Sequence, residues 1–211
     1  GTKFVRGMLK ETKPKSMEEL IRISGLSHGT DVWVGNAQDL VRQGIPLREC
    51  ICTRDDIMNQ MIAYGIDSEI SFKTMESVRK GKGLKPEMEE ALVGNDQVPP
   101  WFIDSCKKIK YMFPKGHAVA YVTMAFRIAW FKVHYPQAYY AAYFTVRGDG
   151  FDAATMLVDP DTCRAKIKEI KNMDNASAKD KESQTALELV LEMNMRGIHF
   201  LPVDLYKSDV R

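Results

Sequence analysis

The sequence predicts an all-α protein, and two features of its 211 residues carry that prediction. Apolar residues recur at helical spacing along most of the chain. Glycine or proline interrupts this pattern roughly every 10 to 20 residues, which matches ordinary helix lengths. An irregular multi-helix domain is therefore expected, with one short strand allowed near the C-terminus, where residues 199–205 alternate loosely.

The first two helices are predicted from capping residues and glycines. Ser16 and Glu19 have the spacing of a capping box, and the helix that they start is expected to stop near Gly25. Asp31 is then placed to cap a second helix that continues to Leu40. The stretch 48–51 is too short for the sequence to indicate whether it forms a strand or a helix.

The later helices are predicted from the Thr, Ser, Asp and Pro residues that open them and from the Gly or Pro residues that end them. A polar loop is expected over 172–180. The predicted helices are, in order, 53–65, 68–78, 86–92, 100–113, 117–134, 139–144, 160–170 and 183–195.

Composition excludes several classes of protein. A net charge of +2 requires any nucleic-acid surface to be local. The four cysteines form no C-x-x-C pair and have no histidine at zinc-finger spacing, so reduced thiols in a cytoplasmic protein are predicted. The most apolar stretch, 118–146, contains Arg127 and Lys132 and is not a membrane span. The abrupt first and last residues indicate a piece of a longer chain.

The strongest candidate site is the run 107–121, in which cations and aromatic residues alternate before a long helix. Positive charge at a helix N-terminus is unfavourable, and an anion such as phosphate at that end makes it acceptable. Basic side chains with interleaved rings also suit nucleotides or single strands. The alternative is that Tyr111 and Phe113 are core residues and the lysines are solvated. The cations of the run are Lys107, Lys108, Lys110 and Lys115.

A second candidate is the turn 79–85, which contains four cations, two glycines and no acid. Such a loop is expected to be mobile and to bring backbone N–H groups near a phosphate. It lacks the P-loop pattern, and a solvated basic turn explains the residues equally well. Its cations include Arg79, Lys80 and Lys82.

The hydroxyl-rich stretch 24–31 is a third candidate, which either binds an anion or a base edge or simply caps a helix. Its adjacent serine and histidine, Ser27 and His28, do not have the spacing of a catalytic triad. A lone histidine such as His117 is more often a capping or core group than a site residue.

Two acidic clusters deserve comparison with metal sites. Asp55 and Asp56 lie at a predicted helix start, as do Asp159 and Asp161. Each pair fits helix capping better than metal binding. No constellation of carboxylates for two-metal phosphoryl transfer is present, so no catalytic or metal-binding residue is assigned.

Several ordered blocks of the sequence resemble the PolC-type alpha subunit of bacterial DNA polymerase III, a C-family replicative polymerase. The similarity extends over nearly the whole chain and is weak only over 153–183. The blocks are Ile23–Trp33, Arg54–Met58, Met75–Leu84, Trp101–Lys115 together with His117, and Tyr143–Arg147.

The resemblance implies a place in the polymerase. Residues 1–150 are expected to be the nucleotide- and DNA-facing core of the fingers, and 151–211 a helical extension toward a duplex-binding module. Fingers bind the incoming deoxynucleoside triphosphate (dNTP) and help to position the template base. The metal-binding aspartates and their Mg²⁺ belong to the palm, so the chain alone is expected to hold no cofactor and to be inactive.

The implied partners follow from the same resemblance. They are dNTP, primer–template DNA and the rest of the polymerase chain, namely the palm, the thumb and the duplex-binding module. The replisome and the sliding clamp would be reached through other regions, and no membrane is implied. The expected localisation is cytoplasmic.

The resemblance also assigns site residues. His117 or a nearby lysine is expected to donate a proton to the pyrophosphate leaving group. Gly116 departs from the usual alanine and is expected to loosen a loop before His117. The expected nucleotide-binding residues are Ser24, His28, Arg54, Phe113, Lys115, His117 and Tyr121. The expected DNA- or phosphate-binding residues are Arg79, Lys80, Lys82, Lys107, Lys108 and Lys110.

Two alternatives remain open. One is a helical nucleic-acid-binding module without a polymerase role, whose DNA binding would depend steeply on salt. The other is a protein-interaction module in which the aromatic residues of 130–144 form the partner surface. Core packing accounts for the same aromatic residues.

Overall fold

The computed structural model describes residues 2–147, 151–202, 204 and 206–207, and these residues form an all-α protein, as predicted. The only β pairing in these ranges is an isolated antiparallel bridge between Thr30 and Tyr111. The helices are α1 (Lys3–Thr12), α2 (Met17–His28), α3 (Gln38–Arg42), α4 (Arg54–Ala63), α5 (Ser68–Val78), α6 (Pro86–Val93), α7 (Pro100–Lys108), α8 (Lys115–His134), α9 (Pro136–Val146), α10 (Ala153–Met156), α11 (Pro160–Lys171) and α12 (Ala178–Met195).

Helix starts follow the capping chemistry of the sequence. The Ser16 hydroxyl accepts a hydrogen bond from the Glu19 backbone N–H at 3.2 Å, so the predicted cap of α2 is confirmed. At α4 the Asp56 carboxylate accepts hydrogen bonds from the Thr53 backbone N–H and hydroxyl. Asp159 caps α11 by accepting hydrogen bonds from the backbone N–H groups of Asp161 and Thr162. The helix α5 has the predicted bounds, 68–78.

The predicted end of α2 at Gly25 is wrong, because the helix continues to His28. Gly25 is buried inside the helix, where a Cβ atom would lie 2.4 Å from the carbonyl oxygen of Cys52. This glycine therefore serves the close approach of two backbones and does not end the helix.

The helix that Asp31 was expected to cap is interrupted. Asp31 has a positive φ of 56°, and its carbonyl oxygen accepts a hydrogen bond from the Asn36 side chain. Residues 33–37 form a kinked turn with Gly35 at φ 70°, and α3 begins only at Gln38. The undecided stretch 48–51 contains neither strand nor helix.

Other helix bounds differ from the predictions for local reasons. The first helix, α1, was not predicted, although Thr2 caps it and its apolar residues recur at helical spacing. The helix α7 ends at Lys108, before the predicted stop at Pro114. A second capping box at Ser177 starts α12 five residues before the predicted start. Residues 199–202 and 204 form no strand, while Val203 and Leu205 lie outside the described residues.

The chain divides into two compact units, one that extends to Ala125 and one that starts at Phe126, so the boundary falls within α8. The predicted division at residue 150 concerns function and stays a prediction. In the first unit α2, α4 and α7 contribute core residues that include Leu26, Ile57 and Phe102.

The second unit has its own core. It is formed by residues of α9, α11 and α12, among them Tyr140, Ile167 and Val190. The aromatic residues of 130–144 therefore differ in exposure: Tyr140 is buried, while Trp130 is about half exposed, at 45%. None of the helices in the described ranges combines the length and the apolar character that crossing a membrane requires.

Candidate functional site

The candidate site of the first unit is built around the connecting segment 109–114, which joins α7 to α8. Its backbone is hydrogen-bonded to three other parts of the unit. The Thr30 N–H donates to the Tyr111 carbonyl at 2.9 Å, and the Met112 N–H donates to the Arg79 carbonyl at 3.3 Å. The Arg54 N–H donates to the Phe113 carbonyl at 3.1 Å. The segment thus brings together the end of α2, the start of α4 and the turn after α5.

Two glycines allow these backbones to meet. A Cβ atom at Gly29 would lie 2.8 Å from the Tyr111 carbonyl oxygen. A Cβ atom at Gly81 would lie 2.5 Å from the Lys110 carbonyl oxygen, and Gly81 also has a left-handed φ of 72°. Any larger residue would push the connecting segment away from its neighbours.

Four rings from the end of α2, the connecting segment and the first turns of α8 lie side by side. We call them the ring row, and they are His28, Phe113, His117 and Tyr121. The ring centroids of His28 and Phe113 are 5.3 Å apart, and those of Phe113 and His117 are 4.7 Å apart. His117 and Tyr121, one turn apart on α8, have centroids separated by 4.4 Å. The sequence-predicted rings therefore form one contiguous set.

The ring row is accessible. Tyr121 is 64% exposed, His28 and His117 are exposed, and Phe113 is half-buried. Tyr111, which meets Phe113 edge-to-face at 5.7 Å, is 45% exposed. The alternative that Tyr111 is a core residue is therefore wrong, and an apolar, partly hydrated surface is available for a planar group.

Ser24 supports the first ring of the row through its backbone. Its carbonyl oxygen lies 2.7 Å from His28 Nδ1, and a carbonyl accepts only, so Nδ1 carries the proton. The Ser27 hydroxyl lies 3.1 Å from the same nitrogen. These contacts fix the imidazole and leave Nε2 as its other polar atom.

Three cations converge on one carboxylate, and we call them the cation group: Arg54, Arg79 and Lys80. Glu76 accepts from Arg79 Nη2 at 2.8 Å and from Lys80 Nζ at 2.9 Å, and Arg54 Nη1 lies 3.9 Å from the same carboxylate. Hydrogen bonds from Arg79 and Lys80 lower the pKa of Glu76 from its ordinary 4.5 to about 2. Three positive charges against one negative charge leave a local excess of two.

The turn 79–85 is more ordered than its composition indicates. The run itself contains no acid, but Glu76, which precedes it by one helical turn, pairs with its first two cations. The Ser77 hydroxyl donates to the Gly83 carbonyl at 2.8 Å, and the Lys82 N–H donates to the Ser77 carbonyl at 3.0 Å. The turn is therefore held by its own hydrogen bonds.

The lysines before the connecting segment do not lie at a helix N-terminus. Lys107 and Lys108 are in the last turn of α7, where the helix dipole favours cations. Lys107 pairs with Glu89 of α6 at 2.5 Å, and Lys108 donates to the Gly35 carbonyl at 3.0 Å. The charge conflict predicted for the run therefore reduces to Lys115 alone.

An anion does lie at the start of α8, and the chain supplies it. The Asp55 carboxylate accepts a hydrogen bond from the Lys115 backbone N–H at 2.6 Å. Within the described part of the chain, the ammonium groups of Lys82, Lys110 and Lys115 make no ion pair or side-chain hydrogen bond. Gly116 lies inside α8, so the expected loop before His117 does not exist.

The acidic pair at the start of α4 is fully engaged. Asp56 Oδ2 accepts from Thr53 and Cys52, and its other oxygen lies 3.7 Å from the buried Arg22 guanidinium. Burial alone would lower the pKa of Arg22, but the charge of Asp56 and other nearby groups raise it. Asp56 caps α4, as predicted, whereas Asp55 accepts from the Lys115 backbone N–H at the start of α8. No group of three potential metal ligands occurs among the described residues.

Sequence reasoning missed Glu76 and Asp55 as parts of this site. Arg79 and Lys80 follow Glu76 by three and four residues at the end of α5, and this spacing is a local signal from which their pairing could have been predicted. The Asp55–Lys115 bond joins residues 60 positions apart, and no local pattern announces it.

The first part of the chain matches a known protein family. The protein-family model for the bacterial DNA polymerase III alpha subunit finger domain matches residues 1–96 of the sequence. These residues include Ser24, His28, the cation group and Glu76. The connecting segment and α8 lie beyond the matched region, after α7.

The whole chain is similar to a more specific polymerase. It is 55% identical, over its full length, to the DNA polymerase III PolC-type of Thermotoga petrophila. It is 58% identical over 99% of its length to the proteins of the same name from Caldanaerobacter subterraneus and Bacillus subtilis. The chain therefore belongs to the PolC-type DNA polymerase III family, and it spans 14% to 15% of the length of these relatives.

Proposed function

We propose that the chain is a fingers segment of a DNA-directed DNA polymerase, a nucleotidyltransferase of DNA replication, and that it binds the incoming dNTP. The relatives named above carry the polymerase part of this proposal. The observation that carries the dNTP part is the ring row, with Arg54 held beside it by the hydrogen bond to Phe113.

The ring row and the cation group offer the two chemistries that a nucleotide requires. An exposed aromatic surface stacks with a base, and each such contact is worth about 1–3 kcal/mol. Preorganised cations stabilise the charge that develops on a pyrophosphate leaving group. His117, at the centre of the row, or Lys115 beside it, would supply the proton that this leaving group takes.

DNA contact is proposed for the lysines with unpaired ammonium groups. Lys82 and Lys110 extend the positive surface beside Arg79, and a phosphate backbone is bound by such side chains without sequence preference. Lys107 and Lys108 are weaker candidates, since each already has a partner within the chain.

Catalysis is proposed to occur elsewhere in the polymerase. The acidic residues near the ring row do not fit a Mg²⁺ site, because Asp55 and Asp56 accept capping hydrogen bonds and the Glu76 carboxylate is paired with the cation group. Primer–template DNA, the palm and thumb, and the replisome with its clamp are proposed partners of the full-length protein in the cytoplasm.

The test uses the full-length polymerase. Single-turnover incorporation gives the dissociation constant for dNTP, which we expect to rise about tenfold on replacing His117 by Ala. The isolated 211-residue chain should incorporate no nucleotide, and incorporation by it would overturn the assignment of catalysis elsewhere. If His117→Ala leaves the dNTP dissociation constant unchanged while DNA binding remains salt-dependent, the simple nucleic-acid-binding alternative is favoured.

A further inference from the structure

The junction between the connecting segment and α8 is held by two consecutive residues of α4. The Asp55 carboxylate accepts from the Lys115 N–H at 2.6 Å, and the Arg54 N–H donates to the Phe113 carbonyl at 3.1 Å. Pro114 lies between these two attachment points. The backbone on both sides of the proline is therefore fixed to the same helix start.

α8 depends on this external carboxylate for its first turn. The first backbone N–H groups of a helix have no partner within the helix, and a side chain just before it usually accepts from them. Pro114, which precedes α8, has no side-chain acceptor. Asp55, from a distant part of the sequence, takes that role, and His117 follows within the same turn.

The support beneath Asp55 is rigid. Its neighbour Asp56 is buried and accepts from the backbone N–H groups of Cys52 and Thr53 at 3.0 and 2.8 Å. The Arg22 side chain of α2, only 10% exposed, lies against the same carboxylate. The start of α4 is thus fixed to the core, and Asp55 transmits that fixed position to α8.

On the basis of the proposed dNTP-binding function, we propose that Asp55 is a positioning residue for the nucleotide face. Its hydrogen bond sets the register of the first turn of α8, so that the His117 ring remains in contact with Phe113 on one side and Tyr121 on the other. Because the Asp55 carboxylate occupies the N-terminus of α8, a dNTP phosphate is bound by side-chain cations and not by the backbone N–H of Lys115.

The test compares Asp55→Ala with Asp55→Asn in the full-length polymerase. Alanine removes the acceptor, whereas asparagine keeps an acceptor oxygen at the same place and loses only the charge. We expect Asp55→Ala to raise the dNTP dissociation constant about tenfold, with a smaller change in the maximal single-turnover rate. Asp55→Asn should restore it to within about twofold of the wild type.

Matched controls separate positioning from general loss of stability. Asp67→Ala removes another aspartate cap of the same unit, at the start of α5, and should leave the dNTP dissociation constant unchanged. Hydrogen exchange of the peptide containing 113–118 should become faster in Asp55→Ala and not in Asp67→Ala. If Asp55→Ala does not fold, Asp55→Ser, which replaces the carboxylate by a shorter hydroxyl side chain, takes its place.

The outcomes distinguish this inference from the proposed function. If His117→Ala raises the dNTP dissociation constant and Asp55→Ala does not, the positioning role is wrong and the proposed function stands. If Asp55→Asn is as impaired as Asp55→Ala, the charge and not the hydrogen bond matters, which also overturns the positioning role. If neither His117 nor Asp55 affects dNTP binding, the proposed function itself fails.

Discussion

The Phe113 ring lies 4.7 Å from the His117 ring at an interplanar angle of 49°, although one precedes α8 and the other belongs to its first turn. Pro114 lies between them, and α8 begins directly after it. The pair therefore joins the connecting segment to α8 through side chains as well as through the backbone.

The pair predicts a specific loss of nucleotide affinity. Replacing Phe113 by Leu keeps an apolar side chain but removes the flat surface, so we expect the dNTP dissociation constant of the full-length polymerase to rise about tenfold. Single-turnover kinetics measure it. Phe4→Leu, at a 45% exposed position of α1, is the matched control and should have no effect. Equal behaviour of the two variants would contradict the role of the ring row.

The depressed pKa of Glu76 predicts a pH dependence of stability. A carboxylate whose folded pKa is about 2 and whose ordinary value is 4.5 stabilises the fold above pH 4.5 and loses that contribution as the pH falls toward 2. Since Glu76 is partly exposed, we expect about 1 kcal/mol. Urea unfolding of wild-type and Glu76→Gln chains between these pH values measures it.

The control for this titration is Glu90→Gln, at an exposed position of α6. This variant should keep the wild-type slope of unfolding free energy against pH, while Glu76→Gln should flatten it. Parallel curves for wild type and Glu76→Gln would show that the cation group does not depend on this carboxylate.

Two glycines within helices predict opposite effects of the same substitution. An alanine Cβ at Gly25 would lie 2.4 Å from the Cys52 carbonyl, so Gly25→Ala should destabilise the chain by about 1–3 kcal/mol. Gly7 of α1 has no atom within 4 Å of such a Cβ, and Gly7→Ala should stabilise by about 0.5–1 kcal/mol. Denaturant unfolding of both variants tests the contrast, and stabilisation by Gly25→Ala would refute the close packing of α2 against Cys52.

The four buried cysteines predict thiols of low reactivity. Burial raises the pKa of Cys50 to about 11 and also raises the pKa of Cys52, Cys106 and Cys163. Since the thiolate is the reactive form, a disulfide reagent at pH 8 should label the native chain slowly and all four thiols after unfolding. Rapid labelling of native protein would mean that a cysteine is more accessible than its position indicates.

The sequence predicts those parts of the fold whose cause is local. The Ser16–Glu19 cap and the start of α5 at Ser68 were predicted correctly, because the side chain and its partner are within four residues of each other. Gly25 was misinterpreted because its reason is a contact with Cys52, which belongs to a different segment. The sequence alone does not distinguish a glycine that ends a helix from a glycine that allows another backbone to approach closely.

In the candidate site, too, the features with a local cause were predicted and those that depend on distant contacts were not. The resemblance and the residue types found the ring row, since its members belong to recognisable blocks. Residue type alone did not show that Lys107 lies at a helix end where its charge is favourable, because that depends on where α7 stops. The contact of Asp55 with Lys115 depends on how the first unit folds, and no pattern within either segment contains it.

Glu76 also determines how the cation group responds to salt. An anion that reaches Arg79 and Lys80 displaces a carboxylate that is already there, so its arrival is an exchange of one partner for another. Fewer solution ions are then released than the number of cations implies, and the slope of log affinity against log salt is correspondingly shallow. Because Glu76 competes for the same cations, the cation group should favour ligands that carry more charge, or more oxygen atoms, than a single carboxylate.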